Sequence, residues 1–223
     1  MLVSHRKKFI FLKTAKTAGT SVEVFFEKYC FPKGAWVFSH DREEYINSNT
    51  GIVGYRGLNR GEQRFFNHKP ANDLRNELGG DIWDEYFKFT VIRNPFDKMV
   101  SAFFHFEKHR KADKYSFDKL TDVERFRNWV KGGGKVIDKH IYLIEGKVAV
   151  DYFIRYENLR SDIELVCQKL NLDLGLDLND LPNLKTEFRD RSLPVKAFYD
   201  LETEQYVRKL YDFEIQHFGY ELD

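Results

Sequence analysis

Four short apolar runs interrupt a largely polar chain and predict buried strands: Phe9–Leu12, Phe65–Phe66 with its flanks, Phe87–Ile92 and Val148–Ile154. After three of these runs, apolar residues recur with the i, i+3, i+4, i+7 spacing of an amphipathic helix. These residues are Val22, Phe25, Phe26 and Tyr29; Met99, Val100, Phe103 and Phe106; and Ile163, Val166, Cys167 and Leu170. Such alternation is typical of an α/β protein. The pattern predicts three layers, with a mostly parallel central sheet flanked by helices.

Less regular segments separate these units. Asn47–Arg64 carries four glycines among polar and basic residues, which predicts a mobile loop. His109–Lys147 is charged and predicts a mostly helical insertion, broken by three consecutive glycines from Gly132. Leu201–Phe218 predicts an amphipathic helix that closes the core. The length of 223 residues favours a single domain, 1–223, with insertions near 47–64 and 109–147.

Charge and cysteine content narrow the classes of partner and site. Lys and Arg number 36 against 35 Asp and Glu, so neither nucleic acid nor a membrane is an expected partner, and any anion site must be local. No apolar stretch approaches the roughly 20 residues of a membrane helix, which predicts a soluble protein. Cys30 and Cys167 match neither a disulfide framework nor a zinc pattern, so a reducing, cytoplasmic setting is expected. No metal-binding motif occurs, and no metal site is expected.

The first candidate motif is "FIFLKTAKTAGTSVE", Phe9 to Glu23. A strand, a turn of small residues and a helix start can present backbone N–H groups to an anion. Gly19 allows close backbone approach, and Lys16, Thr20 and Ser21 add a charge and two hydroxyls. Thr20 and Glu23 also have the spacing of a capping box, which is compatible with anion binding.

The second candidate motif is "FKFTVIRNPFDKMVSAFFHF". A predicted strand ends at Ile92, and Arg93-Asn94-Pro95 turns the chain into a helix, where proline suits the first turn. Arg93 and Ser101 could grip a second phosphate. The alternative is a salt-bridged arginine and a serine that only faces along the helix.

Together, "KTAKTAGTSVE" and "RNPFDKMVSAFF" resemble the two cofactor signatures of sulfotransferases that use 3′-phosphoadenosine 5′-phosphosulfate (PAPS). The match is closest to the carbohydrate-type, sulfotransferase family 2-like branch, with its patterns PKTAGTS and RNPxxRxxSxY. "DYFIRYENLRSD" is similar to the family's R-[F/Y]-E-[N/D]-L element, and "YVRKLYDFEIQHFGYEL" resembles its usual ending. The resemblance implies a fold like that of P-loop NTPases, PAPS as donor and 3′,5′-adenosine bisphosphate as product.

The resemblance also implies roles for particular residues. The 5′-phosphosulfate end would be bound by Lys16, Thr17, Ala18, Gly19, Thr20 and Ser21. Arg93 and Ser101 would bind the 3′-phosphate, and Tyr156 would either line the adenine pocket or pack in the core. The chain departs from the pattern at three positions, with Ala15 in place of proline, Lys98 in place of arginine and Phe104 in place of tyrosine.

Sulfuryl transfer needs charge neutralisation and a general base, by analogy with phosphoryl transfer. Lys16 is the candidate for neutralisation. His68, in "RFFNHKPANDLRNELG", is the candidate base because it falls between a predicted strand and a helix beginning near Pro70. The alternatives are a His68 that only caps this helix, or His40, Glu43 or Glu44 as the base.

The implied acceptor is a small molecule or glycan with a free hydroxyl. Segments 47–64 and 109–147 would shape its pocket, with Tyr55 and Trp129 available for stacking. Arg189 and Arg191 belong either to a basic loop near the nucleotide or to a solvated surface. Two other functions stay open. A nucleotide or small-molecule kinase would lack the usual G-x-x-x-x-G-K-[S/T] loop, and a non-catalytic nucleotide-binding module would need no base.

Overall fold

A computed structural model describes residues 1–57, 61–109, 120–172 and 193–223. Arg189 and Arg191 lie outside the described residues. The chain divides into two compact units. The sheet unit comprises Met1–Ile92 and Ile137–Leu184, and the helical unit comprises Arg93–Val136 and Lys185–Asp223. The prediction of a single domain stays a prediction.

Strands occur in the sheet unit and α-helices in both units. The strands are β1 (Leu2–Ser4), β2 (Phe9–Leu12), β3 (Tyr45–Asn47), β4 (Gly51–Val53), β5 (Phe87–Ile92), β6 (Leu143–Ile144), β7 (Lys147–Val148) and β8 (Tyr152–Arg155). The α-helices of the sheet unit are α1 (Gly19–Glu27), α2 (Ala71–Leu78), α3 (Gly80–Glu85) and α6 (Leu159–Lys169). Those of the helical unit are α4 (Pro95–His109), α5 (Asp122–Lys131), α7 (Leu201–Leu210) and α8 (Asp212–Phe218). The predicted helices after the first, third and fourth apolar runs are confirmed.

The main sheet is mixed and has the strand order β3-β4-β1-β2-β5-β8. Only the β2–β5 and β5–β8 pairs are parallel, whereas β1–β2, β1–β4 and β3–β4 are antiparallel. The prediction of a mostly parallel sheet is therefore wrong. β1 and β2 are joined by a tight turn, and a connection that short cannot join parallel strands.

Three of the predicted segments differ from the elements that the structure contains. The run Val148–Ile154 is divided between β7 and β8, and Phe66 forms only an isolated bridge to Tyr55 instead of a strand. The glycine-rich segment expected as a mobile loop contains β4, whose three residues are all buried. β4 pairs with β1 and β3, so contacts distant in sequence order its backbone.

The core of the sheet unit lies between α1, α6 and one face of the sheet. Alternate strand residues, such as Phe9 and Phe11 of β2, point into it and meet Phe26 and Ile163 from the two helices. Phe9, Phe26 and Phe89 form a cluster with ring centroids 5.0–5.8 Å apart. Burying each such ring stabilises the fold by about 1.5–3 kcal/mol. This core fixes where β2 ends and α1 begins.

The helical unit has a separate aromatic core, which includes Phe96, Phe103, Phe126 and Phe198. Trp129 packs against Phe103, with ring centroids 5.9 Å apart. The predicted C-terminal helix is confirmed as an amphipathic element but is interrupted at Tyr211, between α7 and α8. Among the helices that the structure describes, none has the length and apolar character needed to cross a membrane.

Candidate active site

The loop between β2 and α1 has an unusual backbone. Lys16 and Ala18 adopt φ values of 60° and 59°, in the left-handed region that non-glycine residues rarely occupy. His68 is a third such residue, with φ of 62°. A loop that alternates between backbone conformations can turn successive N–H groups toward one point, the geometry of an anion-binding nest. Strain of this kind at three candidate residues points to a functional site.

Helix α1 begins directly after this loop, at Gly19. The residue before the helix is Ala18, which has no side chain to cap the exposed N–H groups, and the first turn has no acidic residue. The predicted capping box of Thr20 and Glu23 does not form, because Thr20 lies inside the helix and Glu23 is buried in ion pairs. A Cβ on Gly19 would lie 3.0 Å from the Thr14 carbonyl oxygen, so a side chain here would crowd the loop. The helix N-terminus thus retains the N–H groups and positive dipole end that favour anions.

Side chains within the loop hold its backbone in place. Thr14 donates its hydroxyl proton to the carbonyl of Val91 at the end of β5. The Thr17 hydroxyl, which is fully buried, must then donate to Thr14 Oγ1 over 2.8 Å. The Ala15 N–H donates to Asp138 Oδ2 over 2.8 Å. Thr17 can therefore contact a ligand through its backbone N–H but not through its hydroxyl, which is already bonded to Thr14.

A buried charge network supports the start of the loop. Lys13 Nζ donates to Glu23 Oε2 over 2.7 Å, and Arg56 joins Glu23 and Glu27 over 2.9 and 2.8 Å. Both carboxylates are fully buried. Burial by itself favours the protonated acid, but the charges of Lys13, the Met1 ammonium and Arg56 outweigh it and hold the pKa of Glu23 well below its usual range. Glu23 is thus charged at neutral pH and anchors α1 to the loop.

His68 lies beside this loop, at the residue where the loop begins. The His68 ring nitrogen Nδ1 is 3.0 Å from the Lys13 carbonyl oxygen. A carbonyl can only accept, so Nδ1 carries the proton and Nε2 presents its lone pair. Among the described residues, the hydrogen-bond partner of the His68 ring contacts Nδ1, and Nε2 is left to accept a proton. The hydrogen bond thus fixes the tautomer that a general base requires.

The surroundings of His68 keep the imidazole neutral. Burial, followed by the charge of Lys13, lowers the pKa of His68 to about 4, against smaller opposing effects of the Lys13 carbonyl and Asp138. More than a third of the residue is nevertheless exposed. Because solvent reaches the ring, screening limits what this shift contributes to stability.

The other candidate bases have different surroundings. His40 is exposed and pairs with Asp41, its neighbour in sequence, over 2.9 Å. Glu44 accepts a hydrogen bond from the backbone N–H of Phe65, a structural contact, and Glu43 is exposed. Unlike these residues, His68 combines a contact with the loop and a fixed tautomer.

The second predicted motif belongs to the helical unit. Arg93 binds Asp97 through Nε and Nη2 over 2.7 and 2.6 Å, which is the salt bridge anticipated as the alternative. Ser101, which is half-buried, follows Asp97 by four residues, so the two lie on the same face of α4. Lys98 is buried, with Nζ 5.7 Å from the centroid of the Tyr211 ring. Arg93, which precedes α4, is thus joined through Asp97 to the face of the helix that carries Ser101.

Tyr156 begins a 3-10 turn, Tyr156–Asn158, directly after β8, and it is half-buried. In the sheet unit, β5 lies between β2 and β8 and is parallel to both, so the carboxyl ends of the three strands share one edge of the sheet. Lys13 follows β2 at the same edge. Ligands of open α/β sheets bind at such an edge. This places Tyr156 and the Lys13–Ala18 loop at one side of the sheet unit.

Sequence reasoning missed four buried charged residues around the loop: Lys13, Glu23, Arg56 and Asp138. For Glu23 the local signal was its capping-box spacing from Thr20, which pointed to a helix cap and not to a buried ion pair. Asp138 is 123 positions from its partner Ala15, and nothing local connects them.

Comparison with known proteins gives the family. The family model described as "Sulfotransferase family" matches residues 1–221, almost the whole chain. An uncharacterized protein of Archaeoglobus fulgidus is 32% identical over 109 residues, which cover 49% of this chain and 88% of that protein. No solved structure matches the chain. Because the family match extends over both units, this chain belongs to the sulfotransferase family.

Proposed function

We propose that this protein transfers a sulfuryl group from PAPS to a hydroxyl of a carbohydrate acceptor, with His68 as general base. One observation carries the proposal. The Lys13 carbonyl, at the first residue of the anion-binding loop, accepts a hydrogen bond from His68 Nδ1. A single contact thus connects a base of the correct tautomer to a loop suited to the donor's 5′ end.

The loop residues fit the 5′ end of PAPS. The uncapped N-terminus of α1 and the left-handed residues Lys16 and Ala18 favour an anion, and Gly19 lets the backbone come close to it. Thr20 and Ser21 belong to the first turn of α1, where their N–H groups and hydroxyls can contact phosphate oxygens. When bound, PAPS supplies the sulfuryl group and a phosphate leaving group.

The chain's own residues would divide the work of transfer. His68 Nε2 takes the proton of the acceptor hydroxyl as the oxygen attacks sulfur. The Lys16 ammonium neutralises negative charge that develops on the leaving phosphate. The neutral state of His68 is ensured by its low pKa, and negative charge brought by the donor should raise that pKa toward neutrality.

The 3′-phosphate is assigned to Arg93 and Ser101 and the adenine to Tyr156. Arg93 already has its guanidinium fork ordered by Asp97, and a fork of this kind suits bidentate contact with phosphate. The acceptor is proposed as a carbohydrate because the resemblance is closest to the carbohydrate-type branch. The free, buried state of Cys30 and Cys167 supports a cytoplasmic location as part of the proposal.

Differential ligand stabilisation tests the donor. A ligand at 100 times its Kd stabilises the native state by about 2.7 kcal/mol, which for a chain of this size raises Tm by roughly 5–10 °C. We expect 3′,5′-adenosine bisphosphate to produce such a shift and ATP with Mg²⁺ to produce little. A larger shift with ATP and Mg²⁺ would favour the kinase alternative and reject PAPS as donor. AMP is the matched control, since it lacks only the 3′-phosphate.

A further inference from the structure

Asp138 is a buried carboxylate in contact with the anion-binding loop. It is 1% exposed, and its Oδ2 accepts the Ala15 N–H over 2.8 Å. Its backbone carbonyl accepts from Ile141 N over 2.9 Å, so the residue also begins the 3-10 turn Lys139–Ile141. The Asp138 backbone is therefore held by its own turn, and its side chain is held by the loop.

A carboxylate is an unfavourable choice for this position if it serves packing alone. Burying a charged group is costly, and a negative charge beside an anion-binding loop also repels the anion. A hydrogen bond from a backbone N–H to a charged acceptor is, however, among the stronger ones. The position therefore favours residues that can hold the Ala15 N–H firmly.

Ala15 directly precedes the left-handed residues of the loop. With its N–H held by Asp138 and the Lys13 carbonyl held by His68, the backbone is fixed on the N-terminal side of Lys16. The 3-10 turn that Asp138 begins also packs against α2, the helix that follows His68. One segment thus supports both the loop and the residue proposed as base.

We propose that Asp138 is a positioning residue, which holds the Ala15 N–H so that the turn at Lys16–Ala18 is preformed for the 5′-phosphate end of the donor. This inference rests on the function proposed above. It assigns to Asp138 no contact with the ligand. Because its backbone is already ordered, the loop would lose little conformational entropy when it binds 3′,5′-adenosine bisphosphate.

Three variants separate the hydrogen bond from the charge and from packing. Asp138→Asn keeps an oxygen acceptor for the Ala15 N–H, Asp138→Ala removes it, and Ala15→Pro removes the donor. We expect Asp138→Ala to weaken affinity for 3′,5′-adenosine bisphosphate about 10- to 100-fold, and Asp138→Asn to retain affinity within about threefold. In the Ala15→Pro background, Asp138→Ala should cause little further loss.

The readouts distinguish positioning from structural support. A residue that only stabilises the fold would lower Tm in Asp138→Ala and leave the Kd of the folded protein unchanged, which would overturn the proposal. Equal loss of affinity in Asp138→Asn and Asp138→Ala would also overturn it, because the charge and not the acceptor would then matter.

Hydrogen exchange of the Ala15 amide, measured by NMR without ligand, tests the contact independently of function. We expect slow exchange in the wild type and in Asp138→Asn, and fast exchange in Asp138→Ala. If the wild type fails to bind 3′,5′-adenosine bisphosphate, the proposed function and the ligand part of this inference fail together. Ala15 exchange that is equally slow in Asp138→Ala overturns the inference itself, whatever the ligand does.

Discussion

The two motifs proposed to bind the phosphates of the donor differ in which atoms they offer. Around the Lys13–Ala18 loop, polar side chains turn into the protein: Lys13 pairs with Glu23, and Thr17 donates to Thr14. The loop therefore offers mainly backbone N–H groups to an anion. In the Arg93 motif the contacting group is the side chain itself, a guanidinium already bound by Asp97.

The comparison shows that polar side chains serve different purposes in the two motifs. Backbone N–H groups can bind an anion well only where the main chain is rigid, and in the loop the buried polar side chains provide that rigidity. A guanidinium has its donors in a fixed plane and needs only a partner that aligns it. Variants of the loop should therefore affect folding and binding together, whereas variants of the Arg93 pair should affect folding little.

The largest effect is expected at His68. His68→Ala should lower kcat for sulfuryl transfer by about 10²–10⁴-fold, because the general base is lost, whereas the lost hydrogen bond to the Lys13 carbonyl should weaken affinity for 3′,5′-adenosine bisphosphate only about tenfold or less. His40→Ala, an exposed histidine of the same unit, is the matched control and should leave kcat unchanged. Steady-state kinetics and calorimetric titration measure the two quantities. Near wild-type kcat in His68→Ala would exclude it as the base and favour another residue or a non-catalytic module.

Removal of one ion-pair partner from each motif is the most direct comparison. Glu23→Ala should lower the free energy of unfolding by about 3–5 kcal/mol, since it removes the buried carboxylate that Lys13 and the Met1 ammonium share and leaves Arg56 with Glu27 alone of its two carboxylates. Asp97→Ala should cost about 1 kcal/mol or less, because Asp97 is partly solvated. Urea denaturation with unchanged m-values measures both. Equal losses would mean that the two motifs do not differ in rigidity as described.

A matched pair of glycines tests the tight packing of the loop. Gly19→Ala should lower the free energy of unfolding by about 1–3 kcal/mol, because the new methyl group meets the Thr14 carbonyl and the Lys13 side chain at 3.0 Å. Gly80→Ala introduces the same methyl group where nothing lies within 4 Å, and it should be neutral or slightly stabilising. Thermal unfolding compares the two. If both variants unfold at the wild-type temperature, the loop yields to the extra methyl group.

The smallest effect expected is a pH dependence of stability. The pKa of His68 is about 4 in the folded protein, below its ordinary value of 6.5, so the unfolded state binds more protons between these pH values. Stability of the wild type should therefore rise from about pH 4 to pH 6.5, relative to His68→Gln, and stay level above that. Identical pH profiles of the two proteins would show that the His68 imidazole titrates normally.

Local patterns predicted much of the fold. The alternation of apolar residues identified β2, β5, α1, α4 and α6, because each buries residues at a spacing that its own backbone dictates. It missed β1 and β4, which are three residues long and lie inside the sheet, β1 between β4 and β2 and β4 between β3 and β1. The expected parallel sheet was wrong for the same reason, since the hairpin of β1 and β2 gave no periodic signal.

The candidate site divides in the same way. His68 was predicted from its place between an apolar run and a helix, and the structure adds the hydrogen bond that sets its tautomer. Ala15 was noted only as a departure from a pattern with proline. Its N–H, which proline would lack, donates to Asp138, so the alanine has a use that the pattern could not reveal.

The sequence by itself determined the family and located the loop proposed to bind an anion, because strand, small-residue turn and helix start are consecutive in the chain. Only the tertiary structure decided what surrounds that loop. Glu23 became an ion-pair partner instead of a helix cap, and Asp138 and His68 reached the loop from distant segments. The physical reason is that buried charges and polar groups must find partners in space, and proximity in space does not depend on proximity along the chain.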